Sequence, residues 1–129
     1  MRQTYAIVVA FVMAIFCTTV FSGSVSAADM KKTAPALKTA AGSKAEMHNN
    51  EGIEHYNQEH WDVAKKHFTE AVKSDPSSAE AHYNLALALD KSDDHKTATE
   101  QFHKAKELGK DNPDIQNSPI LQGHLKAKH

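Results

Sequence analysis

The fold is decided by residues 45–108, which read AEMHNNEGIEHYNQEHWDVAKKHFTEAVKSDPSS over 45–78 and AEAHYNLALALDKSDDHKTATEQFHKAKEL over 79–108. With an offset of 34 residues the two halves share the identical pairs Ala45/Ala79, Glu46/Glu80, His48/His82, Asn50/Asn84, Ala64/Ala98, Phe68/Phe102 and Ala71/Ala105. Self-similarity at such a period indicates a structural repeat. Pro76 removes a backbone donor and Ser77 or Ser78 can cap a new helix, so each half is predicted to be a helical hairpin.

An apolar stripe with helical spacing recurs in the second part of each half. Its members are Trp61, Ala64, Phe68, Ala71 and Val72 in the first half, and Ala98, Phe102, Ala105 and Leu108 in the second. Residues 83–89 are apolar nearly all round, as expected of a helix that is contacted on several sides. The spacing predicts helices near 45–58, 61–74, 78–92 and 95–108. Ser118-Pro119 then predicts a short final helix, after a turn at Asn112-Pro113.

This pattern resembles the tetratricopeptide repeat. The signature residues that carry the resemblance are Gly52, Ala64, Phe68, Ala71, Pro76, Ala86, Ala98, Phe102 and Ala105. The chain departs from the family pattern where His48 or His82 replaces an aromatic residue, where Glu59 or Asp93 replaces the Gly of the internal turn, and where Lys110 replaces a closing Pro. The resemblance implies an all-α fold, in which two helical hairpins form a short right-handed solenoid with a C-terminal capping helix.

The domain organisation predicted from these features has five parts. They are a signal peptide at 1–27, a flexible linker at 28–44, repeat one at 45–78, repeat two at 79–112 and a C-terminal capping segment at 113–129. The linker prediction rests on two features. The polar composition leaves little apolar surface to offset the entropy of ordering, and Pro35 and Gly42 interrupt any helix.

The N-terminal segment has the features of an export signal. Arg2 precedes the apolar run 6–21, and the small residues that follow include Val25 and Ala27 at the spacing that signal peptidase requires. Cleavage is expected after Ala27, with Ala28 as the second choice, and an uncleaved membrane anchor is the alternative. The expected location is therefore periplasmic or secreted. Cleavage would remove Cys17, so no disulfide or thiol chemistry is expected in the mature chain.

Charge and motifs exclude several classes of function. The net charge of −1 argues against nucleic acid as a partner. The sequence holds no Gly-rich phosphate loop, nucleophile elbow, paired-cysteine metal motif or haem attachment site. We therefore expect no enzyme activity and no cofactor, and contact with the membrane only through the signal segment.

The nine histidines are unusual for a chain of this length, and histidine is the commonest transition-metal ligand. His48 and His55 share one side of the first helix, and His103 shares a face with acidic residues in the last repeat helix, so these three are weak metal candidates. No metal site is predicted, because His48, His55 and His82 are interpreted as packing residues. The remaining histidines interpreted as exposed or terminal are His60, His67, His124 and His129.

The resemblance implies that a peptide or a partner helix binds to the concave wall made by the first helix of each repeat. The matching inward positions are Asn49, Ile53, Tyr56, Asn57, Tyr83, Asn84, Leu87 and Lys91. Tyr56 and Tyr83 would be the anchors, since rigid rings give contact area at a small cost in entropy; packing against the neighbouring repeat is the alternative for both.

The function expected is thus that of a non-catalytic protein–protein interaction module. Two alternatives remain open at this point. The first is a metal- or pH-responsive binder that uses the histidines. The second is an assembly subunit that acts through self-association, because two repeats are fewer than the three usually needed for stability.

Overall fold

The computed structural model describes residues 33–127, and within this range the chain forms helices and no strand. The helices are α1 (Glu46–Asn57), α2 (Trp61–Ser74), α3 (Ala79–Lys91), α4 (His95–Leu108), α5 (Pro113–Gln116) and α6 (Pro119–Lys126). The first four begin and end within one residue of the predicted bounds. The sequence predicts only a turn at Asn112-Pro113, where the structure forms the short helix α5. The all-α repeat architecture is confirmed.

Some predictions concern residues outside the described range. The signal peptide at 1–27, residues 28–32 of the linker and the terminal His129 belong to this group. Between residues 33 and 127, no helix combines the length and the apolar character that crossing a lipid bilayer requires.

Each repeat is a pair of packed helices, α1 with α2 and α3 with α4, and α2 also packs on α3. The first pair closes tightly at Gly52, where an added Cβ would lie 2.5 Å from the ring of Phe68. Phe68 and Phe102 are both fully buried, as are the signature alanines beside them. Small and large residues therefore alternate across each hairpin, as close packing requires. Leu108, predicted to extend the second stripe, is instead 45% exposed at the end of α4.

Helix α3 is the centre of the structure. It lies between α2 and α4 and also contacts α1 and α5. Its residues 81–89 are all buried, which confirms the prediction of a helix contacted on several sides. Burial of this helix is the main apolar contribution to the core, at roughly 25 cal/mol for each Å² of apolar surface removed from water.

Side-chain caps explain where the later helices begin. Ser78 accepts a hydrogen bond from the Ala81 amide, Asp94 from the Thr97 amide, and Ser118 from the Leu121 amide. Each cap satisfies one of the amides that the first turn of a helix leaves unpaired. The cap at Ser118, followed by Pro119, gives the predicted final helix α6.

The internal turn of each hairpin contains one residue in the left-handed backbone region. Glu59 and Asp93 both have φ of 61°. These are the positions at which the sequence lacks the glycine expected from the family pattern. Non-glycine residues adopt this conformation at a cost of about 1–2 kcal/mol, so both turns carry backbone strain.

The C-terminal segment covers the open side of repeat two. Helix α6 packs on α4, and α5 contacts both α3 and α4. Leu121 of α6 and Ile115 of α5 are fully buried. A terminal element that shields the last hydrophobic face is a regular requirement of repeat proteins.

Candidate functional site

Two buried asparagines from the first helices of the two repeats are joined side chain to side chain. Asn49 of α1 and Asn84 of α3 are both fully buried, and Asn84 Nδ2 donates to Asn49 Oδ1 at 2.8 Å. Each amide has further donors and acceptors, and leaving them unpaired in the interior would cost free energy. These groups are therefore available to hold another polar group on the wall formed by α1 and α3.

The group that they hold is the backbone of residues 34–37, which we call the groove segment. The Leu37 amide donates to Asn84 Oδ1 at 2.7 Å. The Leu37 carbonyl accepts from Asn49 Nδ2 at 2.9 Å and from Asn84 Nδ2 at 2.6 Å. Both main-chain groups of a single residue are thus bound by the asparagine pair, without any contact that depends on the identity of its side chain.

A third contact fixes the other end of the groove segment, where the Tyr56 hydroxyl donates to the Ala34 carbonyl at 3.2 Å. Ala34 pairs near the end of α1 and Leu37 near its start, so the segment runs antiparallel to α1. The seven-residue step from Asn49 to Tyr56 spans about 10 Å along a helix, which three extended residues also span. The groove segment therefore lies in an extended conformation along the helices.

The flexible linker predicted at 28–44 differs from what the described residues show at 34–37. Ala34, Ala36 and Leu37 are partly buried and pack against the hydrophobic core. The composition of the linker reflects only its own apolar content. Ordering here comes from the helices instead, which supply both an apolar surface and side-chain partners for the main chain.

Burial makes Tyr56 and Tyr83 harder to ionise. Burial raises the pKa of Tyr56, and nearby Tyr83 and Asp90 raise it further. Burial also raises the pKa of Tyr83, although its hydrogen bond with Ser118 opposes the shift. A phenol that keeps its proton remains a hydrogen-bond donor at neutral pH. Tyr56 therefore stays able to hold the Ala34 carbonyl.

The two tyrosines are nevertheless not equivalent. Tyr56 contacts Trp61 edge to face, with the ring centroids 5.0 Å apart, and bonds to the groove segment. The Tyr83 hydroxyl instead lies 2.8 Å from Ser118 Oγ, and its ring contacts Phe102. Tyr83 thus fastens the C-terminal cap to repeat two.

The remaining predicted inward residues have different surroundings. Leu87 is fully buried in the core, Ile53 is half-buried against it, and Asn57 is exposed. Lys91 is half-buried, with its Nζ 5.7 Å from the centroid of the Trp61 ring, a distance that allows a cation–π interaction.

An open groove continues beside the groove segment, with a volume of about 880 Å³. One wall is formed by Ala34, Pro35 and Leu37, and the opposite wall by residues of α5 and α6 and their connection. Tyr83, Asp90 and Lys91 lie in its lining. Two of the predicted site residues therefore line open surface, whereas Asn49, Tyr56 and Asn84 lie under the groove segment.

The histidines group differently from the sequence prediction. His48 does not pair with His55; instead, the Nδ1 atoms of His48 and His67 lie 3.4 Å and 3.0 Å from Glu51 Oε2. His55 stacks on His67, with the ring centroids 5.3 Å apart. His103 is exposed and belongs to no cluster of metal-ligating side chains within residues 33–127.

The packing interpretation holds for His82, which is buried between two polar partners. Its Nε2 lies 3.0 Å from the Pro76 carbonyl and its Nδ1 lies 2.7 Å from Gln101 Oε1. It therefore links the turn between the repeats to α4. His67 and His124, both interpreted as exposed or terminal, are instead partly buried and paired with acidic side chains.

The family model described as "Tetratricopeptide repeat" matches residues 49–113, which is about half of the chain. No curated protein matches the sequence.

Proposed function

The chain belongs to the tetratricopeptide repeat family, and on that basis we propose that it is a non-catalytic adaptor that binds an extended peptide of a partner protein along α1 and α3. Repeats of this family generally mediate protein–protein interaction and are typically non-enzymatic.

The observation that supports the proposal is the pair of asparagines on the Leu37 backbone. Asn84 receives the amide of Leu37 while both asparagines donate to its carbonyl. Any extended residue except proline presents the same two groups, so a partner peptide could make the same hydrogen bonds. Side-chain selectivity would come from the core surface that now receives Ala34, Ala36 and Leu37. We infer a partner segment with small residues and one residue of leucine size.

In this proposal the groove segment is an internal competitor. A partner peptide would displace residues 34–37 and take over the contacts with Asn49, Asn84 and Tyr56. The open groove beside the segment would then receive the rest of the partner, next to Asp90 and Lys91. Removal of the groove segment should therefore strengthen the binding of a partner.

We further propose that the protein acts in the bacterial cell envelope. The support is the sequence pattern of Arg2, the apolar run 6–21 and the small residues up to Ala28. Mass spectrometry of the protein recovered from a periplasmic extract tests this point: a chain that begins at Ala28 or Asp29 would support export, and a chain retained in the cytosol with Met1 would contradict it.

The binding test uses a fluorescent peptide with the sequence of residues 31–40. Its anisotropy is titrated with the chain from Ala28 and with the chain from Ser43, which lacks the groove segment. We expect the shorter chain to bind the peptide and the longer one to bind it at least tenfold more weakly. The double variant Asn49→Ala/Asn84→Ala in the shorter chain should lose binding.

The control is Asn50→Ala, which changes the neighbouring asparagine on the exposed side of α1. This variant should bind as the parent does, and circular dichroism shows whether each chain remains helical. If the double variant is folded and binds the peptide as tightly as the control, the asparagine pair is not the binding site. Capture of partners from envelope extract, with the same variants, then identifies the natural ligand.

A further inference from the structure

Three side chains from three helices meet at the edge of repeat two. Asp90 lies near the end of α3, His95 begins α4, and His124 lies in α6. His95 Nδ1 and His124 Nε2 are each 2.8 Å from the same atom, Asp90 Oδ1. The exposed fractions are 18% for Asp90, 13% for His124 and 55% for His95. Two members of the cluster are thus shielded from water, and the third opens toward it.

His124 is held in place from other directions as well. Its ring lies 5.0 Å from the ring of Phe102, centroid to centroid, and its Nδ1 lies 2.9 Å from Thr99 Oγ1. A partner on the second ring nitrogen is what usually fixes the orientation of a metal-binding histidine. Nε2 of His124 is therefore a pre-positioned ligand atom.

The hydrogen bonds of Thr99 determine which nitrogen of His124 carries a proton. Thr99 Oγ1 is 2.8 Å from the carbonyl oxygen of His95, which can only accept, so the single hydroxyl proton is directed there. Thr99 Oγ1 then accepts from Nδ1–H of His124. In a neutral imidazole, Nε2 is left with a lone pair, and that lone pair faces the Asp90 carboxylate at 2.8 Å.

Two electron pairs that face each other at this distance require a positive charge between them. A second proton on the imidazole would supply it, and so would a metal ion bound by both atoms. The second arrangement also recruits His95 Nδ1, which is directed at the same carboxylate oxygen. A further carboxylate, that of Asp93, lies 3.9 Å from His95 Nε2 and adds negative charge near the cluster.

We propose that Asp90, His95 and His124 form a zinc site that fastens α6 to the second repeat. Two imidazoles and one carboxylate are ligands that Zn²⁺ commonly takes in proteins, and three protein ligands leave one position open. Ligand atoms of a tetrahedral zinc centre are about 3.3 Å apart, since zinc–nitrogen bonds are about 2.0–2.1 Å long. The two observed 2.8 Å separations must each open by about 0.5 Å. His95 can move because it faces solvent, and a small rotation of the Asp90 side chain would open its separation from His124.

The cluster of His48, Glu51 and His67 is the competing location in this chain. The Nδ1 of His48 is buried and makes no hydrogen bond with any described residue, so this cluster also offers a free ligand atom. However, these side chains are between about a third and a half exposed, and their ligand atoms are farther apart. No contact like that of Thr99 with His124 orients them in the described residues. We therefore favour the site at Asp90.

The test is calorimetric titration of ZnCl2 into the untagged chain from Ala28, because a histidine tag would compete for the ion. We expect one tight site per chain. His95→Ala, which alters an exposed side chain, should weaken it at least tenfold. Thr99→Val keeps all three ligands but removes the contact with His124 Nδ1, and such outer contacts commonly change metal affinity 10- to 100-fold.

The matched controls are His67→Ala and His103→Ala, which should leave the tight site unchanged. A thermal melt gives a second readout: zinc should raise Tm in the parent and in both controls, and should not raise it in His95→Ala. The proposal is overturned if the parent binds no zinc. It is equally overturned if His67→Ala removes the tight site while His95→Ala and Thr99→Val retain it.

Discussion

Asn84 Nδ2 lies 2.8 Å from Asn49 Oδ1, although the two residues are 35 positions apart and the repeat period is 34. The bond therefore joins positions that are not equivalent in the two repeats. The residue of repeat two that matches Asn49 is Tyr83, and it bonds to the cap instead. The amide pair thus belongs to the junction between the repeats. A further copy of repeat two would place Tyr83 at the position of Asn49 and form no such pair, whereas a further copy of repeat one would place Asn50 at the position of Asn84.

Loss of Asn84 should release the groove segment. In Asn84→Ala the Leu37 amide loses its acceptor, and its hydrogen exchange should become fast. The free energy of unfolding should fall by about 2–3 kcal/mol, because several buried hydrogen bonds are lost and Asn49 Oδ1 is left unpaired. Asn50→Ala, on the exposed side of α1, should change it by less than about 0.5 kcal/mol. Continued protection of the Leu37 amide in Asn84→Ala would contradict this account of the segment.

Glycine at the two left-handed turn positions should stabilise the protein. Glu59→Gly and Asp93→Gly remove the strain of φ 61°. Part of the gain is offset by the greater freedom of glycine in the unfolded chain, so about 0.5–1 kcal/mol is expected at Glu59. The gain at Asp93 should be smaller, because aspartate tolerates this region better than glutamate.

A change to glycine within a helix should instead lower the stability of the protein. Glu54→Gly, at an exposed position in α1, should cost about 1 kcal/mol of helix stability. Chemical denaturation of the three variants measures all the effects. Destabilisation by both turn variants would show that these turns are not strained.

Gly52 and Gly123 should respond oppositely to a methyl group. In Gly52→Ala the new Cβ meets the Phe68 ring at 2.5 Å, and forced overpacking typically costs about 1–3 kcal/mol. In Gly123→Ala nothing lies within 4 Å of the new Cβ, so the better helix propensity of alanine should stabilise α6 by up to about 1 kcal/mol. Thermal melts compare the two. An equal or higher Tm for Gly52→Ala would mean that the first hairpin is not closely packed there.

The buried tyrosines should make the protein sensitive to alkali. The pKa values of Tyr56 and Tyr83 are raised above 10.0 in the folded state, so above that pH the unfolded chain releases protons that the folded chain retains. The stability that the two protonated phenols contribute is therefore fully present below about pH 10, and it is lost as the pH rises further. In the chain from Ala28, which lacks Tyr5, phenolate absorbance should appear together with loss of the helical dichroism signal. A phenolate step near pH 10 with the helices intact would contradict the burial of both rings.

The repeats were predictable because the information that specifies them is local. The offset of 34 residues and the spacing of Ala64, Phe68 and Ala71 give the helices to within one residue. The contacts of the groove segment could not be obtained in this way, because Leu37 bonds to partners 12 and 47 residues away. A run of small apolar residues at 34–37 was the one signal that could have indicated packing.

The cluster of Asp90, His95 and His124 also depends on contacts between residues that are distant in sequence. Asp90 and His95 are close in sequence, across the internal turn of repeat two. The position of His124 follows only from the way α6 packs on α4, which depends on the burial of Leu121 and on the cap at Ser118. A histidine near the chain end therefore gave no indication of its partners.

The groove segment is covalently connected to α1, and this connection determines the concentration that a free peptide needs in order to displace the segment from α1 and α3. Residues 38–45 join the two, with a turn closed by the Ser43 amide on the Ala40 carbonyl. Short tethers of this kind produce effective concentrations in the millimolar range. A free peptide that made only the same contacts would have to reach a similar concentration before it occupied half of the molecules. The tethered segment therefore competes effectively with any peptide that makes only these contacts. A ligand that also contacts the adjoining groove gains additional binding energy and can displace the segment at a lower concentration.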